Sequence, residues 1–281
     1  MKWMAGLFLL LMVAQPVVAQ APGGNGDTPE KKKDKPPART VRILTLGDAP
    51  PFKQEVRDGV RYEMEPAPGT IPPREVIPGF GEKPKDGPKS GDEKEPPPAP
   101  IRLNLGRASA VAKIPDGAGP LELRRKDASA PENKPWVTVQ RPEHGDLLVL
   151  IWRDPRGKNW DLVDALVLPD GPEAIGGGGV MLLNLVQTPI GTAFGSEKFQ
   201  LPYGHPVIKK PSTQRELPVD VSALSADGKT FAKRYLSTVI PVADTECTRI
   251  IAYRADGESP RQPVKVLLLR EPVKPEQPDS H

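Results

Sequence analysis

The chain reads as short apolar runs cut apart by Pro, Gly and Asp, and no long 3.6-residue period runs along it. Residues 41–46 open the pattern as a strand. Residues 53–56 and 60–64 flank Arg57-Asp58-Gly59, and Asp-Gly between two strand-like runs predicts a hairpin, because both turn positions need a positive φ. Runs at 101–105, 121–124 and 136–139 have period-2 character. Residues 147–152 are almost continuously apolar, the pattern of a strand covered on both faces, and 163–168 follows as its neighbour.

The C-terminal half continues in the same style. After four glycines at 176–179 come runs at 180–186, 219–223, 231–239, 248–253 and 264–269, with turns at Asp227-Gly228 and Asp256-Gly257. The pattern leaves helix open in places such as 231–237, though nothing demands it. Strands of five to seven residues with a turn signal every dozen or so predict an all-β chain, read here as a tandem pair of related β-sandwich, immunoglobulin-like domains.

Two stretches of the halves match without a gap at an offset of 101 residues. Leu148-Val149-Leu150-Ile151-Trp152-Arg153 lies over Arg249-Ile250-Ile251-Ala252-Tyr253-Arg254, and Val163-Asp164-Ala165-Leu166-Val167-Leu168 over Val264-Lys265-Val266-Leu267-Leu268-Leu269. Leu103-Asn104-Leu105 also recurs as Leu183-Asn184-Leu185. An internal duplication is the expectation, with a first domain at 101–172, a glycine hinge at 173–179 and a second domain at 180–272. Residues 41–65 then add hairpin strands to the first domain.

Proline changes that picture: 37 of 281 residues are Pro, and eleven of them fall between 66 and 100 among Gly, Glu, Lys and Asp. Such a stretch buries too little apolar surface to offset its ordering entropy. The expectation is a disordered insertion at 66–100, a disordered linker at 20–40 and a disordered tail at 273–281.

The first residues read as an export signal. Lys2 precedes an apolar run from Trp3 to Val13, Pro16 breaks it, and Val17-Val18-Ala19 offers small or β-branched residues at a cleavage site after Ala19. About a dozen apolar residues are too few for the roughly 20 that span a bilayer, so a retained anchor is the lesser alternative and no membrane span is expected after cleavage. Cys247 is the only cysteine, so the fold has no intramolecular disulfide, and no Cys stands at the cleavage site to take a lipid. A bacterial periplasmic or secreted protein is the expected class.

Charge and motifs narrow function mainly by exclusion. The formal net charge is +3, and Lys2 is the only charged side chain of residues 1–19, so the exported chain carries +2 with no basic face of the kind nucleic acid binding requires. The histidines at 144, 205 and 281 have no metal-ligand spacing, no G-x-S-x-G elbow is present, and the glycines at 176–179 lack the Lys-Ser/Thr of a phosphate loop. No catalytic, metal or cofactor residue is assigned. Two tryptophans bracket a polar loop, and Trp152, Arg153, Arg156 and Trp160 are the candidate contacts for a sugar or a protein. Against this stands a structural reading, in which Trp152 is core, Trp160 caps the sandwich edge and the loop between is salt-bridged. The expected function is non-enzymatic binding or structure, with an envelope protein or a surface polysaccharide as partner. A secreted hydrolase acting on glycans or peptides through dispersed carboxylates is the alternative.

Overall fold

The apolar run at 147–151 is buried on both sides: Leu147, Leu148, Val149, Leu150 and Ile151 are each at most 1% exposed. A computed structural model shows what covers them, and it describes residues 39–81, 98–126, 134–211, 215–225, 227–228, 230–257 and 260–273. The expected signal at 1–19, most of the linker at 20–40 and all but the first residue of the tail at 273–281 lie outside the described residues. So do residues 82–97 of the proline-rich stretch.

The first half runs β1 (Arg39–Leu46), β2 (Gln54–Arg57), β3 (Val60–Glu63), β4 (Glu75–Phe80) and β5 (Ile101–Arg102). It continues through β6 (Ala112–Ile114), β7 (Gly119–Arg125), β8 (Val137–Arg141), β9 (Leu147–Arg153) and β10 (Val163–Pro169). One helical turn, α1 (Pro172–Ile175), leads to β11 (Val180–Asn184), β12 (Ile190–Phe194), β13 (Glu197–Leu201) and β14 (Val207–Lys209). The last strands are β15 (Glu216–Leu224), β16 (Phe231–Pro241), β17 (Glu246–Arg254) and β18 (Val264–Pro272). The described chain is therefore all-β, and residues 231–237 are strand rather than helix. Among the described residues no helix is long and apolar enough to cross a membrane.

Four four-stranded sheets stack in layers. Sheet β5-β4-β7-β8 faces sheet β10-β9-β1-β6, which backs onto sheet β14-β11-β17-β18, which in turn faces sheet β13-β12-β15-β16. The strand period of two builds this directly. On β9, Leu147, Val149 and Ile151 enter the first core, while Leu148 and Leu150 enter the second, against Met181, Leu183 and Ile251. On β17, Ile251 and Tyr253 face that same second core, and Ile250 and Ala252 turn to the third. The central strands β9 and β11 of the two inner sheets are thus covered on both faces, which explains the apolar runs at Leu147–Ile151 and Val180–Leu183.

The 101-residue offset carries into the hydrogen-bonded registers. Leu147 pairs with Pro169 across β9 and β10, and Thr248 pairs with Arg270 across β17 and β18. Parallel neighbours correspond as well: β1 beside β9 pairs Leu44 with Leu150, and β11 beside β17 pairs Leu183 with Ile251. The place of Leu183-Asn184-Leu185 therefore matches Leu44-Thr45-Leu46, not Leu103-Asn104-Leu105 as the short apolar triplet predicts.

Two further expectations change. β4 lies inside the stretch read as disordered, with Val76 fully buried. Its Pro78 is tolerated because β5 pairs only with Glu75 and Val76, leaving Pro78 hydrogen-bonded territory on the β7 side alone. The glycines at 176–179 form a packed turn rather than a free hinge. Gly178 donates its N–H to the carbonyls of Ala243 and Glu246, and a Cβ on Gly177 would sit 1.9 Å from the Asp244 carbonyl oxygen.

Candidate functional site

Period-2 placement puts two arginines where the second core expects apolar side chains. Arg42 on β1 is in phase with Leu44 and Leu46, and Arg249 on β17 is in phase with Ile251 and Tyr253. Each answers the same two acids, Asp170 just after β10 and Glu271 near the end of β18. Arg42 grips Asp170 through Nε to Oδ2 at 2.6 Å and Nη2 to Oδ1 at 2.7 Å. Its Nη2 also donates to Glu271 Oε2 at 3.1 Å, and its Nη1 to Glu271 Oε1. Arg249 donates Nη2 to Asp170 Oδ1 at 2.7 Å and Nη1 to Glu271 Oε2.

This closed quartet is neutral and largely dry, with the Arg249 side chain 4% exposed. The hydrogen bond to Asp170, against the opposing cost of burial, holds the Arg42 guanidinium above its ordinary range. Cys247 lies beside the cluster, and burial pushes its thiol up, so it is not a poised thiolate. The space next to the quartet is about 200 Å³, lined by Thr40, Asp170, Cys247 and Glu271 among others. Each carboxylate is already held by two guanidiniums, so the cluster is a clamp between the inner sheets.

A second polar lock closes the opposite end. Arg153 pairs with Asp256 at 3.1 Å, Asp48 N–H donates to Asp256 Oδ1 at 2.5 Å, and Gly257 N–H donates to Asp48 Oδ2 at 2.8 Å. Lys265 completes it on Asp48 at 2.5 Å. Burial is the main cause that lifts the Asp256 carboxyl above its usual range, and the Asp48 N–H and Arg153 oppose it. The neighbouring Tyr253 phenol is pushed up to about 12, by burial first and then by the charges of Asp48 and Asp256.

That shift carries a sign. An unfolded Tyr ionises near pH ~10, whereas this one stays neutral in the folded protein up to about 12. Its stabilising contribution is complete below pH ~10 and is lost as pH rises from there to about 12. Tyr253→Phe should remove roughly 2 kcal/mol of alkaline destabilisation across that window. Urea midpoints of both proteins against pH check this, and parallel alkaline limbs would contradict it.

The four residues predicted as contacts part company. Trp152 is half-buried against the second core, and Arg153 is spent on Asp256 and on the Lys158 carbonyl. Arg156 is 81% exposed and closes on Asp154, whose carboxyl it holds down to about 2, chiefly by a side-chain hydrogen bond. Trp160 is 0% exposed in the first core, so it presents no ring to solvent, and the two tryptophans form no common platform. The exposed apolar position of that loop is Leu162.

An open groove of about 690 Å³ lies along the edges of β16 and β18, beside the second lock. Tyr235, Pro260, Arg261, Gln262 and Lys265 line it, and the nearly buried Tyr253 contributes to its floor. Sequence reading missed it because the 260–267 stretch meets Tyr235 and residues 48–51 only in the fold, and a lone Tyr in β16 carries no motif. Among the described residues no group of three His, Cys, Asp or Glu side chains could hold a metal ion. No family model matches the chain, and no curated protein matches it.

Proposed function

We propose that this chain is an exported, non-enzymatic binding or structural protein of a bacterial envelope or secretome, built from a duplicated, immunoglobulin-like β-sandwich. Its partner is an envelope protein or a surface polysaccharide, met at the β16–β18 groove. The observation that carries the reading is the use made of buried charge. Asp48, Asp154, Asp170, Asp256 and Glu271 have side chains no more than 15% exposed, and each is ion-paired to Arg or Lys. Asp154 closes its own loop on Arg156 and the other four tie strands of the inner sheets together, while the groove offers a tyrosine with Arg, Gln and Lys, the mixture that suits polar polymers and protein surfaces.

One observation favours the hydrolase alternative. Asp154 is held low by Arg156, while burial and then the charge of Asp154 raise the Asp164 carboxyl, and acids pushed apart in this way recur in acid–base pairs. The experiment that separates the readings is sedimentation of the purified protein with isolated envelope fractions, alongside a glycan and peptide turnover screen. Arg261→Glu, at an exposed position of the groove, should lower retention on one fraction about tenfold while thermal unfolding is unchanged. Turnover abolished by Asp164→Asn, or retention indifferent to the groove variant, would overturn the proposal.

A further inference from the structure

The hairpin β2–β3 forms a sheet of its own, hydrogen-bonded to none of the four layers. Yet it is rich in apolar side chains: Val60 is 53% exposed, Tyr62 50% and Met64 42%, with Phe52 and Val56 exposed as well. An isolated two-stranded ribbon is marginal in water, and a bare apolar stripe on a strand edge marks a pairing surface. From its backbone geometry we infer that the β3 edge pairs antiparallel with β3 of a second copy of this chain, giving a four-stranded sheet across a twofold axis.

The register follows from hydrogen-bond parity. Asp58 and Gly59 have φ of 53° and 79°, a tight two-residue turn, so the flanking pair Arg57 and Val60 exchanges hydrogen bonds within the hairpin. Tyr62 and Met64 have the same parity, and Met64 N–H indeed donates to the Lys53 carbonyl at 2.9 Å. The N–H and C=O groups of Arg61 and Glu63 therefore point outward from the free edge. A second β3 can satisfy them only where these residues face one another. Arg61 against Arg61, or Glu63 against Glu63, sets like charges opposite. Arg61 against Glu63 of the second copy sets opposite charges together twice.

That one register also places Tyr62 opposite Tyr62 and Val60 opposite Met64. Six apolar side chains then share one face, and both ion pairs lie on the other. The β2 edge is poorer: Glu55 and Arg57 are already paired to each other at 2.7 Å, and Val56 is its one apolar side chain. A symmetric, self-complementary contact of this kind closes at two copies. It uses none of the groove residues, so it stands or falls apart from the binding reading.

Sedimentation velocity on the purified protein over the micromolar range tests it. Dimers are expected, with Arg61→Glu weakening association about tenfold or more and the exchange Arg61→Glu with Glu63→Arg restoring it. Because Cys247 is buried, a new thiol reports cleanly. Tyr62→Cys should give a covalent dimer on mild oxidation, since the twofold sets that position against itself, and Arg61→Cys should not. A monomer at every concentration would overturn the inference and leave the hairpin to a different protein. A dimer indifferent to Arg61→Glu, or equal cross-linking from positions 61 and 62, would overturn the register and with it the inference.

Discussion

Replacing Arg249 by Met should cost about 3–5 kcal/mol of stability, the largest effect expected of any single charged residue in the fold. Arg249 is 4% exposed and reaches both Asp170 and Glu271. Without it, two carboxylates at the boundary of the inner sheets share Arg42 alone, and one negative charge stays buried without compensation. The loss reflects that stranded charge more than any net attraction in the intact quartet. Replacing all four residues by apolar side chains of similar volume should therefore be far milder, within about 1–2 kcal/mol of the natural protein. Urea unfolding of the single and fourfold variants makes the comparison. A single variant within about 1 kcal/mol of wild type would show that the cluster does not clamp the layers.

Trp160→Ala ranks beside it, at about 3–5 kcal/mol, by a different cause. The ring is fully buried at the end of the first core, close enough that a Cβ on Gly47 would meet its Cζ2 at 2.7 Å. Its backbone is a junction: the carbonyl accepts Trp136 Nε1 at 2.6 Å and Arg125 Nη2 at 2.8 Å, and its N–H donates to the Gly69 carbonyl at 2.8 Å. The alanine variant keeps those backbone groups but leaves a cavity where the indole was. Trp160→Phe should lose much less, because among the described residues the indole N–H has no hydrogen-bond partner to forfeit. If alanine costs less than about 1 kcal/mol, the ring is not a core element and an exposed binding role regains weight.

The parts of the fold that were legible are those where sequence period equals burial period. Residues 147–151 read as doubly covered because both faces of β9 meet a core. The hairpin at Asp58-Gly59 was legible because only a few residue types accept two positive φ angles in succession. β4 was hidden by Pro78 and the prolines around it, and the exclusion of proline from strands fails where a strand has one neighbour, as at Pro78. β12 was hidden by Gly191 and Thr192, which lower its apolar content although both are enclosed, Thr192 at 0% exposure. The quartet left a usable trace: Arg42 and Arg249 each interrupt an otherwise apolar phase of a buried strand. Asp170 and Glu271 lie 128 and 229 residues from Arg42 and 79 and 22 residues from Arg249, a pairing that spacing alone does not show.

The most direct test of the binding account is a photo-reactive phenylalanine analogue placed at position 235 in the groove, with position 138 on the exposed face of β8 as control, irradiated in the cells that make the protein. The account predicts a discrete adduct with one envelope protein or polymer from position 235, absent from position 138. Adducts equally abundant from both positions, or none from either, would contradict a groove built for a partner.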